Sequence, residues 1–410
     1  MRIAVLAEFF PPRMGSDRRI YELLRRLIEK NEIHFLSIPP FRELCGMLNS
    51  ETSDPYEVSG CVHEGITTHR IKVPRIIKDL WRKSLKLAYI SSMALLIPRV
   101  IIELVKVNPE IIILNYPSVY TGVLGFFAAK FLRRPCVVDF SDLIAQYSMT
   151  LLNVKKVSLM GIIILSIQNY IVRRSDVVVT PNDFIRKYTL ALGVKDEIIF
   201  AIPNGVDTGV FNVHACMQTN YKSQLNLNDE KICLFFGRLE EWAGIRILIE
   251  VCRVFEQKHQ DVKFLVLGEG SEEAEFPRNV VIVERVSHDE VPKIIAIADV
   301  VLVPFPESEV SHGATPLRLF EAMSMRKAVI ASRLSGIGEI IQNNHNGLLV
   351  DSDNPKEWVD AIETVLNSSS LQARLGRNAE ESAKKYDWNV LASRFERVLP
   401  KRNMHTSKRT

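Results

Sequence analysis

An arginine and a glutamate nearly one turn apart, Arg318 and Glu321, follow the segment Gly313-Ala314-Thr315-Pro316-Leu317 in a chain of 410 residues. Thr315 then Pro316 is a helix-start signal, a capping oxygen before a proline that suits the first helical position. The apolar run at 299–303 just ahead reads as a buried parallel strand. A strand, a small-residue turn and a helix N-terminus make an anion site, because Gly313 and Ala314 let backbone N–H groups come close to a phosphate. Arg318 in the first turn opposes the helix dipole by roughly 0.3–1 kcal/mol. It is therefore either a solvated side chain or one arm of a diphosphate clamp.

Two further places could do chemistry. Asp139-Phe-Ser-Asp142 ends an apolar strand at 136–140, and ligands sit at the carboxyl ends of such strands. Asp142 there could hydrogen-bond a sugar hydroxyl or receive an acceptor proton, or simply cap a loop. Gly15 lies between the first strand, 3–7, and an amphipathic helix at 17–30. It is a turn residue or a point where backbone approaches a ligand.

The elements that must position these residues alternate. In the first half the pattern predicts strands at 3–7, 32–38, 67–72, 111–115, 136–140, 176–180 and 198–202, with helices at 118–132, 155–174 and 183–192 between them. Pro203-Asn204-Gly205-Val206-Asp207 then opens a polar, unpatterned stretch, the best boundary in the chain. A second series follows: strands at 231–236, 262–267, 279–283, 299–303 and 328–332, helices at 245–258 and 288–297, and three closing helices at 355–367, 370–385 and 388–399. The predicted fold class is α/β, two Rossmann-like doubly wound domains facing a central cleft. The domains are 1–202, a linker 203–228, 229–387, and a C-terminal segment 388–410 whose helix packs back on the first domain before a basic tail.

Composition fits a globular protein, 47% hydrophobic and 24% charged. The net charge of +4 is uneven: residues 1–210 hold 27 Lys+Arg against 20 Asp+Glu, a net of +7. The first half is thus the one to meet an anionic partner, and with no nucleic-acid-reading motif present that partner is a membrane surface or a phosphorylated lipid. Between 70 and 90 basic residues interleave with Trp81, Leu85, Tyr89 and Ile90, which suits a membrane-surface segment and a charged surface helix equally. Six scattered cysteines suggest a reducing compartment and no zinc site. No signal peptide is visible and no apolar stretch is long enough to span a bilayer, so a cytoplasmic protein, peripheral at most, is expected.

The ordered motifs resemble those of the retaining glycosyltransferases of family 4, with GT-B architecture. The resemblance rests on Phe10-Pro-Pro with Gly15, Ile202-Pro-Asn-Gly-Val-Asp207 and Phe236-Gly-Arg-Leu239. It continues through Val266-Leu-Gly-Glu-Gly270, Phe320-Glu-Ala-Met323, Ser335-Gly-Ile-Gly-Glu339, Asn346-Gly-Leu-Leu-Val350 and Tyr386-Asp-Trp388. It implies transfer of a sugar, with retention and without a metal or other cofactor, from a nucleotide-diphospho-sugar held by the second domain. The acceptor, a glycan or lipid-linked glycan, would be held by the first. By the same resemblance Arg238 contacts the phosphates, and Glu321 takes the ribose hydroxyls. Gly313, Ala314, Thr315 and Leu317 offer N–H groups, Asn204, Gly205 and Gly268 border the donor, and Gly15 borders its phosphates from the other domain. The chain departs from the family at Ala243, where a lysine is usual, at Gly313, where a glutamate is usual, and at Ser141, where a histidine is common. Each loss removes a charged hydrogen bond of about 1.5–3 kcal/mol. Arg318 is expected to replace the missing lysine on the phosphate. A degenerate member that binds a nucleotide sugar without catalysis is the rival reading. A nucleotide-sugar epimerase fits the motifs less well, and a dinucleotide dehydrogenase lacks its glycine fingerprint.

Overall fold

A computed structural model describes residues 1–7, 15–37, 62–72, 76–77, 79, 85–115, 119–143, 145–146, 149, 154–216, 220–227, 229–259, 261–268, 270, 275–284 and 286–401. Phe10-Pro-Pro12, most of the basic residues of the 70–90 segment and the tail beyond Lys401 lie outside them. The chain forms two compact units, Met1–Ile202 with Leu391–Thr410, and Pro203–Val390.

The first unit holds an eight-stranded sheet in the order β3-β4-β2-β1-β5-β6-β7-β8. Its strands are β1 Arg2–Ala7, β2 Glu32–Ser37, β3 Val62–His63, β4 Ile66–Arg70, β5 Ile111–Asn115, β6 Cys136–Asp139, β7 Val177–Thr180 and β8 Ile199–Ala201. All neighbours are parallel except β3 and β4. Strands β5, β6 and β7 are buried at every residue, as continuous apolar runs in a sheet covered on both faces must be. Helices α1 Gly15–Arg25, α2 Leu85–Val107, α3 Val119–Phe131, α4 Leu159–Arg174 and α5 Asp183–Ala191 make the crossovers. Two strand faces tell the layers apart. A methyl group at Gly125 of α3 would run into Leu6 and Leu114, while the next residue along β5, Asn115, bonds to Asp17 of α1. Successive side chains point to opposite faces, so α3 and α1 cover opposite sides of the sheet.

The second unit is a six-stranded parallel sheet, β11-β10-β9-β12-β13-β14. Its strands are β9 Lys231–Phe236, β10 Val262–Leu267, β11 Val280–Val283, β12 Val300–Val303, β13 Ala328–Ser332 and β14 Leu348–Val350. Around it lie α6 Tyr221–Gln224, α7 Ile245–Lys258, α8 Val291–Ala296, α9 Glu309–Gly313, α10 Leu317–Ser324, α11 Ser335–Gly338, α12 Pro355–Leu366 and α13 Ser369–Ala383. Strand β9 shows why it is central: Ile232, Leu234 and Phe236 enter one core, Cys233 and Phe235 the other. The order reverses between β9 and β12, which leaves a crevice at their carboxyl ends. The last helix, α14 Trp388–Val398, returns the chain to the first unit, where Arg394 donates to the Ala201 carbonyl.

Several elements differ from the sequence reading. Helix α1 stops at Arg25 instead of running to 30, because Leu27 and Lys30 close tight turns onto Leu24 and Leu27. Strands β3 and β14 and helix α9 are additions. Helix α2 runs through Pro98 where the sequence showed only a short apolar stretch. Among the described residues no helix is long and apolar enough to cross a membrane.

Candidate functional site

At the carboxyl end of β9 the chain turns through Gly237-Arg238-Leu239-Glu240 into a short turn, Glu241–Ala243, before α7. Two glycines make this possible. Gly237 has φ +134° and Gly268, after β10, has φ +153°. A methyl group at Gly268 would lie 1.8 Å from the Gly237 carbonyl oxygen. The backbones leaving β9 and β10 are thus in direct contact, with no room for a side chain between them.

Arg318, on the first turn of α10, sits beneath this loop. Its Nη1 donates to the Phe236 carbonyl at 3.0 Å and its Nη2 to the Ala243 carbonyl at 3.3 Å. The guanidinium carbon lies 4.7 Å from the Phe235 ring centre and 4.8 Å from that of Phe305. Only 7% of the residue is exposed. Burial pulls its pKa down to about 9 while Glu321 pulls the other way, so the group stays charged at neutral pH. Two N–H groups of Arg318 hold the two ends of the loop and fix its shape, while the buried Nε finds no hydrogen-bond partner among the described residues. The loop's own cation, Arg238, is partly exposed and donates to Glu240 Oε1 at 3.0 Å. Glu321 follows Arg318 on α10 and is half-buried.

The start of α10 also differs in detail. Pro316, not Thr315, occupies the cap position, and no side chain caps the helix. Thr315 is held from elsewhere: Asn204 Nδ2 donates to its carbonyl at 2.6 Å and approaches its hydroxyl at 3.4 Å. Gly205 beside it is buried, and the segment is pinned by Val206 N–H on the Tyr386 carbonyl and by Asp387, which accepts the Thr208 N–H and hydroxyl. Gly313 closes α9, and the Ala314 N–H donates to the Ser311 carbonyl at 3.0 Å. Ala314 is therefore not among the free donors expected. Leu317 heads α10, where no intrahelical carbonyl can meet its N–H. His312 accepts the Ser335 N–H at Nδ1 and turns Nε2 to Glu307; Glu309 is exposed.

In the second unit, then, Asn204, Gly205, Arg238, Gly268, Gly313, Ala314, Thr315, Leu317, Arg318 and Glu321 all lie on the segments that follow β9, β10 and β12 or that brace them. Gly15 and Asp142 lie in the first unit. Gly15 is the first residue of α1, and a methyl group there would meet no atom within 4 Å. Asp142 has its carboxyl pushed up to about 7, by burial first and by Asp139 second, with Arg19 opposing.

The first unit also holds Arg19, Asn115 and Thr180, which the sequence did not single out, beside Asp139 and Ser141, which it did. Arg19 and Asp139, both fully buried, pair at 3.0 Å, and Arg19 Nη2 donates to the carbonyl of Ile202 at 2.7 Å. Asn115 Nδ2 donates to Asp17 at 2.9 Å. Asn115 Oδ1, Ser141 Oγ and Thr180 Oγ1, buried at the carboxyl ends of β5, β6 and β7, find no hydrogen-bond partner among the described residues. Arg19 reads in the sequence as one more charge on an amphipathic helix. The better signal was the polar residue ending the run Ile111-Ile-Ile-Leu-Asn115. Among the described residues no cluster of three His, Cys, Asp or Glu could hold a metal.

Comparison with known proteins covers both units. A family model described as "Glycosyl transferase 4-like domain" matches residues 15–205, and one described as "Glycosyl transferases group 1" matches residues 217–382. The sulfoquinovosyl transferase SQD2 of Arabidopsis thaliana is 26% identical over 311 residues, 73% of this chain and 58% of that protein. The alpha-D-kanosaminyltransferase of Streptomyces kanamyceticus is 24% identical over 167 residues, 38% of this chain and 42% of its own. The chain spans about half the length of the curated relatives it matches. Among solved structures, sucrose-phosphate synthase of Thermosynechococcus elongatus aligns with a TM-score of 0.73 at 18% identity, over 97% of this chain and 98% of that one. HepE of Anabaena in complex with UDP-glucose aligns at 0.71 and 16%, with the same coverage of each. At such identities the likeness speaks for the fold.

Proposed function

Because the chain belongs to the group 1 glycosyl transferases, with a 4-like glycosyl transferase domain ahead of its group 1 domain, we propose that it moves a hexose from a nucleotide-diphospho-sugar to a hydroxyl of a glycan or lipid-linked acceptor. The observation that carries this reading is the braced loop after β9, with Arg238 on it and Arg318 holding both its ends. In this reading the second unit takes the donor. The diphosphate gains charge as the sugar leaves, and a fixed cation with fixed N–H dipoles stabilises that charge without reorganising. Arg238 and the Leu317 N–H supply it, Arg318 positions the loop, and Glu321 accepts the ribose hydroxyls. The bond from the anomeric carbon to the diphosphate oxygen breaks as the acceptor oxygen bonds to that carbon on the same face. The acceptor proton passes to the leaving phosphate; retention follows from the same-face approach, and Arg238 with the Leu317 N–H would carry the charge that a metal otherwise carries.

The acceptor belongs to the first unit. Asp142 orients the attacking hydroxyl. The buried free thiols of Cys136, Cys233 and Cys252 suit a cytoplasmic site of action. HepE was solved with UDP and with UDP-glucose, which makes uridine sugars the first donors to try.

The second reading, binding without transfer, draws on Ala243, whose side chain offers no cation to the loop. One assay separates the two. Purified protein is incubated with uridine and guanosine diphospho-sugars and assayed for release of free nucleoside diphosphate and for binding. Slow hydrolysis that falls at least about a hundredfold in Arg238→Ala supports transfer. Saturable binding with no release supports the second reading, and neither binding nor release with any donor sinks both.

A further inference from the structure

Helices that cover a sheet ordinarily bury one stripe and offer a polar face to water. Two neighbouring helices of the first unit do not. Helix α4 buries Gly161, Ile164, Gln168, Ile171 and Val172, yet its opposite face carries Leu159, Ile162, Ile163 and Tyr170, exposed by 76, 52, 48 and 53%. Helix α3 beside it exposes Phe127 and Phe131, the latter by 70%, on one stripe. Between the helices runs an open groove of about 420 Å³ lined by Val123, Phe127, Ile162, Ile167, Tyr170 and apolar neighbours, with the polar Ser166 among them. Exposed Ile102 and Val105 extend the apolar surface onto α2, which packs against α3.

Charge frames this surface. Residues 119–134 contain Lys130, Arg133 and Arg134 and no acid; residues 155–176 contain Lys155, Lys156, Arg173 and Arg174 and one acid, Asp176, which lies 3.5 Å from Lys130 Nζ. Both helices join parallel strands, so both run back against the sheet and lie parallel to each other. Their C-terminal cations therefore gather at one end of the surface, Lys155 and Lys156 at the other. Arg174 sits 6.0 Å from the Tyr170 ring centre at the crowded end.

We propose that this α3–α4 face is a docking surface for an anionic phospholipid bilayer. An apolar centre with cations at its rim matches acyl chains beneath anionic headgroups, the pattern of helices that lie in a membrane interface. Helix α4, 16 residues and ~24 Å long, is too short to cross, so it lies along the surface. A second copy of the chain is a poor occupant, because a two-fold contact would set these rims, cationic on balance, against each other. The proposal is independent of the sugar-transfer reading and concerns a different segment from the basic stretch at 70–90.

The test is co-sedimentation of the full chain with vesicles of phosphatidylcholine alone, and with vesicles of about equal parts phosphatidylcholine and phosphatidylglycerol. At least about tenfold more protein should be retained by the anionic vesicles, and raised salt should weaken that retention. Phe127→Ser with Ile163→Ser should cut it about tenfold while circular dichroism and the thermal midpoint stay unchanged, since both side chains are half-exposed. Arg133→Glu with Lys155→Glu, which leaves the apolar residues in place, should do the same through charge. Equal retention by the two vesicle types, or none, overturns the proposal. So does a concentration-dependent dimer in ultracentrifugation that the serine pair dissolves while vesicle retention is unaffected.

Discussion

The guanidinium of Arg318 reaches across from α10 to the carbonyl of Phe236, the last residue of β9, at 3.0 Å. Together with its bond to Ala243 this spans the loop that carries Arg238. Arg318→Leu keeps an apolar stem between Phe235 and Phe305 but strands two carbonyls. It should lower unfolding stability by about 2–4 kcal/mol. It should also weaken nucleotide-diphosphate binding about tenfold, by loosening the loop. Urea unfolding and titration calorimetry read the two effects separately; an unchanged dissociation constant would show that the loop does not need its brace.

The raised carboxyl of Asp142 makes a pH prediction. Its folded pKa, about 7, lies above the ordinary aspartate value, so the folded state holds a proton that the unfolded state has already lost. Its stabilising contribution is full below the unfolded pKa and disappears as pH rises through about 7. Asp142→Asn should remove this slope. The stability of wild type relative to the variant should fall by about 1–4 kcal/mol between pH 4 and 7, measured by denaturant titration at each pH. Parallel curves would place the carboxyl in water.

A buried ion pair is costly to break and cheap to replace. Arg19→Met leaves the Asp139 carboxylate uncompensated and should destabilise the protein by about 3–5 kcal/mol. Arg19→Met combined with Asp139→Leu should recover most of that loss, because neither charge then remains. If the double variant is as unstable as the single one, the bond from Arg19 to Ile202 matters more than the pair.

Gly268→Ala introduces one methyl group 1.8 Å from the Gly237 oxygen, at a backbone φ of +153°. The loop after β9 must shift, and with it Arg238. Donor hydrolysis should fall by roughly a hundredfold, since misplacement of about 1 Å at a reacting centre is that damaging. Far-UV circular dichroism should be unchanged. Near-normal hydrolysis would mean that the loop adapts around the methyl group.

The sequence was most legible where burial leaves little choice. Strands β9, β10 and β13 and helix α7 fall at the residues that their apolar runs predict, because a strand buried on both faces has no polar alternation to blur its ends. Helix α10 was legible as a helix, but its cap was not. Thr315 has the chemistry of a cap, and a residue 111 positions away, Asn204, holds it instead. Arg318 shows the same limit more sharply. Its place in the first turn was readable, and its direction was not, since only the tertiary packing of Phe235 and Phe305 makes a dry slot for a guanidinium. The Arg19–Asp139 pair joins residues 120 apart and left no local trace. Exposure of an apolar face was equally invisible, because a helix at 155–174 can be read from the sequence and the side it turns to solvent cannot.

The first unit is assembled from two pieces of chain and the second from one uninterrupted piece, Pro203–Val390. Its borders are well marked: Arg19 and Arg394 secure Ile202 and Ala201 on one side, while Asp387 and Tyr386 secure Val206 and Thr208 on the other. The second unit is therefore a cassette. It can be exchanged between relatives by two cuts, near 203 and 390, without dividing any of these bonds. The first unit can be grafted only as a matched pair of fragments, whereas the half that carries Arg238 and Glu321 moves as a single insert.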